Sequence, residues 1–456
     1  MAETEHPAAG DTTPRASISR RQGLKLCAAT FLTSAFVRTA LAESRSESSP
    51  PHKESAMTDT NAIRPLHFRA TDEDLADLKR RVISTKWPDR ETVGDQSQGV
   101  QLATGQKIAQ HWASKHDWRK IEAKLMAYPN FVTEIDGLDI HFIHVRSKHE
   151  DALPMVVTHG WPGSVIEQLK IIGPLTDPTA HGGTAADAFH LVIPSLPGYG
   201  FSGKPTATGW HPGRIASAWA TLMQRLGYTK YVAQGGDWGN AVSETMALQQ
   251  PPGLLGIHTN MAATVPADIS RALAFHQTPP DNLSTEERRA WDQLVFFYRK
   301  GLGYAIEMGT RSQTLFGLAD SPVGLATWML DHDAASHAMI ARSFYGSPEG
   351  ITPDDFLDNV TFYWLTNTAI SSARLYWDTA QVAKGGGFFD ARGIKIPVAV
   401  SAFPDEIYQA PRSWTEKAYV KLIHYNKPPK GGHFAAWEQP GLFVEEIRAS
   451  FNSLRG

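Results

Sequence analysis

Cysteine is almost absent. The chain of 456 residues has one, Cys27, within a segment expected to be removed. The mature protein is therefore expected to have neither a disulfide nor a reactive thiol. Metal-ligand spacing is also missing. The 18 histidines are scattered, with no His-Glu-x-x-His and no Cys/His pattern, so no metal and no cofactor are expected. Charge of one sign is lacking too. A net charge of -3 gives no reason to expect a nucleic-acid partner or an acidic polymer as substrate. No internal repeat is visible.

What is present suits a large globular protein. Apolar residues make up 42 % of the chain, enough for a substantial core. The length exceeds a typical domain, so one large core with additions, or two domains, is expected. The 13 tryptophans can line aromatic pockets or simply fill a large core. Nothing here fixes an oligomeric state.

The N-terminal segment reads as an address. Ser19-Arg20-Arg21 precedes an apolar stretch, residues 24–42, broken by Lys25 and Arg38 and ending in Ala40-Leu41-Ala42. This is the pattern of a twin-arginine signal peptide over residues 1–42, implying periplasmic or secreted protein. The alternative is a membrane anchor. A spanning helix needs roughly 20 apolar residues, and the moderate hydrophobicity and Arg38 argue against a stable one. Residues 43–61, rich in Ser, Pro, Glu and His, read as a disordered linker.

Residues 62–135 read as a helical arm. Thr71 is a good N-cap, acidic residues 72–74 follow, and Leu75, Leu78 and Val82 recur at helical spacing. A second helix is predicted over 107–126. From residue 136 short apolar runs alternate with helical stretches, at 138–145, 155–157, 191–193, 231–233, 396–400 and 422–423. That rhythm predicts an α/β fold with a mostly parallel sheet covered on both faces. It stops between 265 and 390, where aromatic-rich helical patterns cover 284–304 and 361–376. An insertion there predicts a helical cap over the strand ends, dividing the core into 136–264 and 391–456.

The chemistry centres on Gly235-Gly236-Asp237-Trp238-Gly239, directly after the 231–233 run. A strand, glycines, a reactive side chain, a glycine and a helix form a nucleophile elbow. The simpler reading is a turn with an Asp N-cap. Three further pieces supply context. His159-Gly160-Trp161-Pro162-Gly163 follows a strand like an oxyanion loop, with Trp161 and Trp238 as backbone donors. In that loop His159 reads as structural. Asp405 and Glu406 follow a late strand, and either can be the orienting acid. His433, after Gly431-Gly432, fits the base. Nucleophile, acid, histidine is the chain order of α/β-hydrolases.

An aspartate nucleophile narrows the reaction. On an acyl group it would form an anhydride, whereas at saturated carbon it forms an alkyl ester that water can cleave. Epoxide opening and carbon–halogen cleavage both fit. Only the epoxide oxygen needs an acid, and a cap tyrosine, with a pKa of roughly 10, stays protonated to supply it. Composition does not choose among Tyr298, Tyr304, Tyr345, Tyr363 and Tyr376.

The motifs also carry a resemblance. Ile63-Arg64-Pro65, Trp87-Pro88, His159 to Ser164, Gly235 to Gly239, Asp320 to Ala326, Ser371 to Tyr376, Ser401-Ala402-Phe403-Pro404 and Gly431 to Ala436 together resemble the microsomal-type epoxide hydrolases, which include the juvenile-hormone epoxide hydrolases. The resemblance covers nearly all of the mature chain. It implies that Tyr304 and Tyr376 hold the epoxide oxygen and that Glu406 orients His433. Asp405 stands where relatives carry an apolar residue, and an apparent export signal replaces the family's membrane anchor. The expected reaction converts a lipophilic epoxide to a vicinal diol through an ester on Asp237. The rivals are a haloalkane dehalogenase and a ligand-binding protein with a decayed site.

Overall fold

The structure, a computed structural model, describes residues 61–383 and 387–455. The expected signal peptide lies outside them, as does the linker up to residue 60. No helix among the described residues is long and apolar enough to cross a membrane.

A nine-stranded sheet organises the chain. Its strands are β1 (Arg64–Pro65), β2 (Asn130–Ile135), β3 (Leu138–Val145), β4 (Leu153–Thr158), β5 (Phe189–Pro194), β6 (Tyr231–Gly235), β7 (Leu254–Thr259), β8 (Ile394–Ser401) and β9 (Tyr419–Asn426). They lie in the order β1-β2-β3-β5-β4-β6-β7-β8-β9. Pairing is antiparallel from β1 to β5 through β2 and β3, and parallel from there to β9. The central strands β5 and β6 are buried along their whole length, because helices cover both faces of a parallel sheet. Hydrophobic alternation is therefore weak there, and short apolar runs are the signal instead.

The N-terminal region differs from the sequence reading in two ways. It is not purely helical, since β1 and β2 pair with each other and β2 joins the sheet through β3. The predicted helix over 107–126 is two helices, Leu102–Ser114 and Trp118–Met126. Asp117 starts the second by accepting from the Arg119 N–H, and a side-chain cap of this kind favours a fresh start over continuation. The helix Asp72–Ile83 opens with a full capping box between Thr71 and Asp74.

Among the described residues between β7 and β8 no further strand forms, and helices run from Ala267–Ala274 to Ala369–Val382. The ends of this insertion meet where Val265 bridges Asp390. The strand ends of β4, β6 and β8 point toward this helical layer, and the loops that follow them carry the polar groups described next.

One contact fixes how closely helix and sheet approach. A Cβ built on Gly239 would lie 2.0 Å from the Thr158 carbonyl oxygen, and one on Gly235 would lie 2.1 Å from Gly239. These are backbone obstacles that no rotamer relieves. Gly239→Ala is therefore expected to destabilise the fold by about 3 kcal/mol. Urea unfolding tests this, and a midpoint equal to that of the parent would refute it.

Candidate active site

Asp237 sits at the junction of β6 and the helix Trp238–Gln249, with φ 52° and ψ -126°. A side chain at positive φ is strained, and such strain persists only where the surroundings over-determine it. The consequence is a carboxylate turned out of the sheet. The Trp161 N–H donates to its Oδ1 at 2.8 Å. Trp238 opens the following helix, where first-turn N–H groups have no partner within the helix. Of the two donors expected from the sequence, the Trp161 N–H reaches the carboxylate.

The loop carrying Trp161 is held from both sides. His159 packs beneath it, its Nδ1 2.9 Å from the Gly160 carbonyl while Nε2 accepts from the Leu196 N–H at 3.2 Å. Burial pushes the His159 pKa down to about 4, so the ring is a neutral structural element. From above, Asn359 Nδ2 donates to the Pro162 carbonyl and Tyr363 Oη donates to that of Gly163, both at 2.7 Å.

His433 faces Asp237 from the loop after β9. Its Nδ1 lies 2.7 Å from Glu406 Oε1, and its Nε2 lies 3.9 Å from Asp237 Oδ2. The first is a hydrogen bond and the second is too long for one. Geometry thus separates the two candidate acids. The Asp405 backbone bridges Gly432 and its side chain is exposed, whereas Glu406 is 4 % exposed. Burial disfavours a charged His433, but Glu406, then Asp237 and Asp333, outweigh it and raise its pKa to about 10. Glu438 holds the loop, accepting from the Gly432 and Phe434 N–H groups at 2.9 and 2.8 Å.

Of the five tyrosines considered in the cap, Tyr304 and Tyr376 reach this site. Tyr304, in the helix Gly303–Arg311, stacks on Trp161 with ring centroids 4.9 Å apart. Tyr376, in the helix Ala369–Val382, meets Trp238 edge-on at 4.6 Å and Tyr304 at 6.0 Å. Burial, reinforced by the Asp237 charge, raises both phenols well above 10. Tyr363 supports the loop as above, Tyr298 bonds to the Phe388 N–H, and Tyr345 is exposed.

Sequence reasoning missed several groups. Glu167 lies on a polar recess beside Asp237 that is also lined by Gln234, Asn260 and His433. Burial raises its pKa to about 8, so it stays protonated at neutral pH. His332 and Asp333 enter from the cap, and the His332 ring lies 4.4 Å from that of His433. No metal-ligand spacing exists in the sequence, yet the fold brings one ligand atom each from Asp237, His332 and His433 within 4.8 Å of one another. Glu167 follows the oxyanion-loop motif by four residues, a signal available only once that loop is recognised. His332 and Glu438 carry none.

With the geometry in hand, the chain can be set beside known proteins. Residues 63–168 match the family described as epoxide hydrolase N terminus, and residues 154–302 match the alpha/beta hydrolase fold. A protein of Stigmatella aurantiaca, provisionally named an epoxide hydrolase, is 51 % identical over 395 residues, covering 86 % of each chain. Epoxide hydrolase 1 of Sus scrofa is 33 % identical over 87 % of this chain and 90 % of its own. The crystal structure of juvenile hormone epoxide hydrolase from Bombyx mori superposes with a TM-score of 0.73 at 27 % identity, covering 86 % of this chain and 95 % of that one. The Aspergillus niger epoxide hydrolase structure gives 0.72 at 29 %, covering 86 % and 96 %.

The site analysis makes a direct prediction about protonation. A group raised to about 10 from its usual 6.5 keeps its proton across neutral pH. Histidine ¹⁵N NMR of the resting protein at pH 8 is expected to show His433 as imidazolium, and Glu406→Gln to lower its titration point. A neutral ring at pH 8 would contradict the electrostatic account. The same shift favours folding, fully below 6.5, and this contribution fades as pH rises through about 10.

Proposed function

We propose that this chain, which belongs to the epoxide hydrolase family of the α/β-hydrolase fold, hydrolyses its epoxide to a vicinal diol through a covalent ester on Asp237. The observation that carries this reading is the pairing of an outward-turned carboxylate with two cap phenols across one small space. A carboxylate supplies the attack at saturated carbon, and the phenols supply the acid that an epoxide oxygen requires.

Asp237 attacks an epoxide carbon from the side opposite the C–O bond. Tyr304 and Tyr376 hold the epoxide oxygen and deliver a proton as the ring opens. A phenol with so high a pKa leaves a strongly basic tyrosinate, and the proton is restored from His433. His433 is then neutral, and the esterified Asp237 no longer carries the charge that helped hold the proton there. The imidazole can now take a proton from water as that water attacks the Asp237 carbonyl carbon. The Trp161 N–H, already 2.8 Å from Oδ1, and that of Trp238 receive the oxyanion. Glu406 fixes the ring and balances its charge. Glu167 and Gln234, lining the recess beside Asp237 and His433, orient the attacking water. Collapse frees the diol, and the chain's own side chains complete the cycle.

Where the cap meets Asp237 the surroundings are aromatic, with Tyr304 and Tyr376 in ring contact with each other and with Trp161, and Tyr376 with Trp238. This supports a lipophilic epoxide. The Bombyx mori protein acts on juvenile hormone, as its name states, and a lipophilic epoxide here agrees with that. The twin-arginine pattern in residues 1–42 supports export of the folded enzyme to the periplasm or beyond.

Separate experiments test these readings. One turnover in heavy-oxygen water is expected to place label on the Asp237 carboxylate, and His433→Gln to trap an ester detectable by mass spectrometry on the peptide containing Asp237. Asp237→Ala should lower kcat by a factor on the order of 10⁴ or more. Label found only in the first-turnover diol would mean direct attack by water. Turnover of chloroalkanes surviving Tyr304→Phe with Tyr376→Phe would favour the dehalogenase instead. For export, fusing residues 1–42 to a folded reporter should send it to the periplasm, and Arg20→Lys with Arg21→Lys should retain it in the cytoplasm. A reporter exported equally well without the arginine pair would remove the twin-arginine assignment.

A further inference from the structure

His332 is the one imidazole in the site that the reaction above leaves unused. It lies between the cap helices Pro322–Leu330 and Ala334–Phe344 and is 1 % exposed. Its ring packs 4.4 Å from His433 and 5.0 Å from Tyr304, centroid to centroid. Nδ1 lies 3.1 Å from Asp333 Oδ2, while Nε2 is buried with no hydrogen-bond partner among the described residues. Asp333 is itself fixed, since its Oδ1 accepts from the Ser336 N–H at 2.8 Å and caps the following helix.

We propose that Asp237, His332 and His433 form a binding site for a divalent transition-metal cation of the Zn²⁺ type, whose occupancy blocks the catalytic centre. The ligand atoms lie within 4.8 Å of one another, and His433 Nε2 is 3.9 Å from Asp237 Oδ2. Around Zn²⁺, with bonds of about 2.0–2.2 Å, tetrahedral ligands stand roughly 3.4 Å apart. Closing the widest gap requires each side chain to move only about 0.7 Å against that spacing. His433 is backed at Nδ1 by Glu406 and His332 by Asp333, which leaves each Nε2 for the ion, and binding releases the Nε2 proton of His433 to solvent. Carboxylate–histidine–metal order is the usual arrangement of zinc ligands and their supports.

Two imidazoles and a carboxylate favour Zn²⁺, Cu²⁺ or Ni²⁺ over the oxygen-seeking Mg²⁺ and Ca²⁺. Three carboxylates, Asp237, Asp333 and Glu406, supply charge to balance the ion. Asp237 and His433 belong to loops of the sheet and His332 to the cap, so a bound ion ties the cap to the core. The cation takes the nucleophile and the base together, and therefore competes with substrate.

Zn²⁺ titration of the full chain by calorimetry, without epoxide, tests the site whether or not the hydrolase reading holds. One Zn²⁺ per chain is expected, with a rise in Tm. Affinity should fall about 100-fold or more in His332→Gln and in His332→Phe, and about 10- to 100-fold in Asp333→Asn. Using the second His332 variant guards against a folding defect in the first. The inhibition arm rests on the hydrolase reading. There Zn²⁺ should inhibit hydrolysis of styrene oxide competitively and reversibly with EDTA, and both His332 variants should turn over but resist the same Zn²⁺ concentration. Unchanged Zn²⁺ affinity in both His332 variants, or no one-to-one binding to the parent chain, would overturn the proposal.

Discussion

Everything in this site depends on the backbone of one residue. Asp237 holds φ 52° and ψ -126°, a conformation that costs on the order of 1–3 kcal/mol for a residue with a side chain. The surroundings leave it no alternative. β6 is paired on both sides, to β4 and β7, and the helix that follows presses Gly239 against the Thr158 carbonyl. The Trp161 N–H then holds the carboxylate where the turn has aimed it. Relaxing the turn would require moving strand or helix, which would disturb the most deeply buried part of the core. The strain is thus held by packing, and the Trp161 N–H is the hydrogen bond that holds the carboxylate in place.

The second constraint is electrostatic. Asp237, Glu406 and Asp333 bring three carboxylates around one imidazole in a site nearly closed to solvent. Burying charge is costly unless each charge is paired. Here the pairing is explicit: His433 binds Glu406, His332 binds Asp333, and Asp237 takes a backbone N–H. Burial and mutual attraction oppose each other at His433, and attraction wins. At Glu167 they also oppose, and burial wins, because His433 and the Gln168 hydrogen bond are weaker counterweights. Glu167 therefore keeps its proton at neutral pH and can donate it to a water, while His433 nearby stays charged.

Sequence signals covered the parts of this arrangement that depend on local rules. The elbow was legible because Gly235, Asp237 and Gly239 are dictated by a single tight turn. The strands β4, β5 and β6 were legible as apolar runs, since both of their faces are covered. β2 and β7 were not, because polar residues such as Thr133 and His258 are buried in them; His258 finds its partner, Ser401, only across the sheet at 2.9 Å. Asp405 and Glu406 were indistinguishable because adjacent residues point opposite ways, and which faces inward depends on the Asp405 backbone bridging Gly432. Selecting Tyr304 and Tyr376 from five tyrosines took a resemblance, since helical spacing says nothing about what lies across a cleft. His332, Asp333 and Glu438 left no trace at all, because their partners are remote in sequence or are backbone groups.

The cap explains why those silent residues matter. Its helices do not merely cover the strand ends. Asn359 and Tyr363 grip the carbonyl groups of the loop that carries Trp161, while Tyr304 stacks on the Trp161 indole. The N–H that reaches Asp237 is therefore positioned by the same layer that carries Tyr304 and Tyr376. A shift of the cap would displace both together, so under the proposed mechanism ring opening and ester hydrolysis share one geometric requirement. That coupling favours a single well-defined position of the cap, and it agrees with the aromatic and hydrogen-bonded contacts between cap and core around the Trp161 loop.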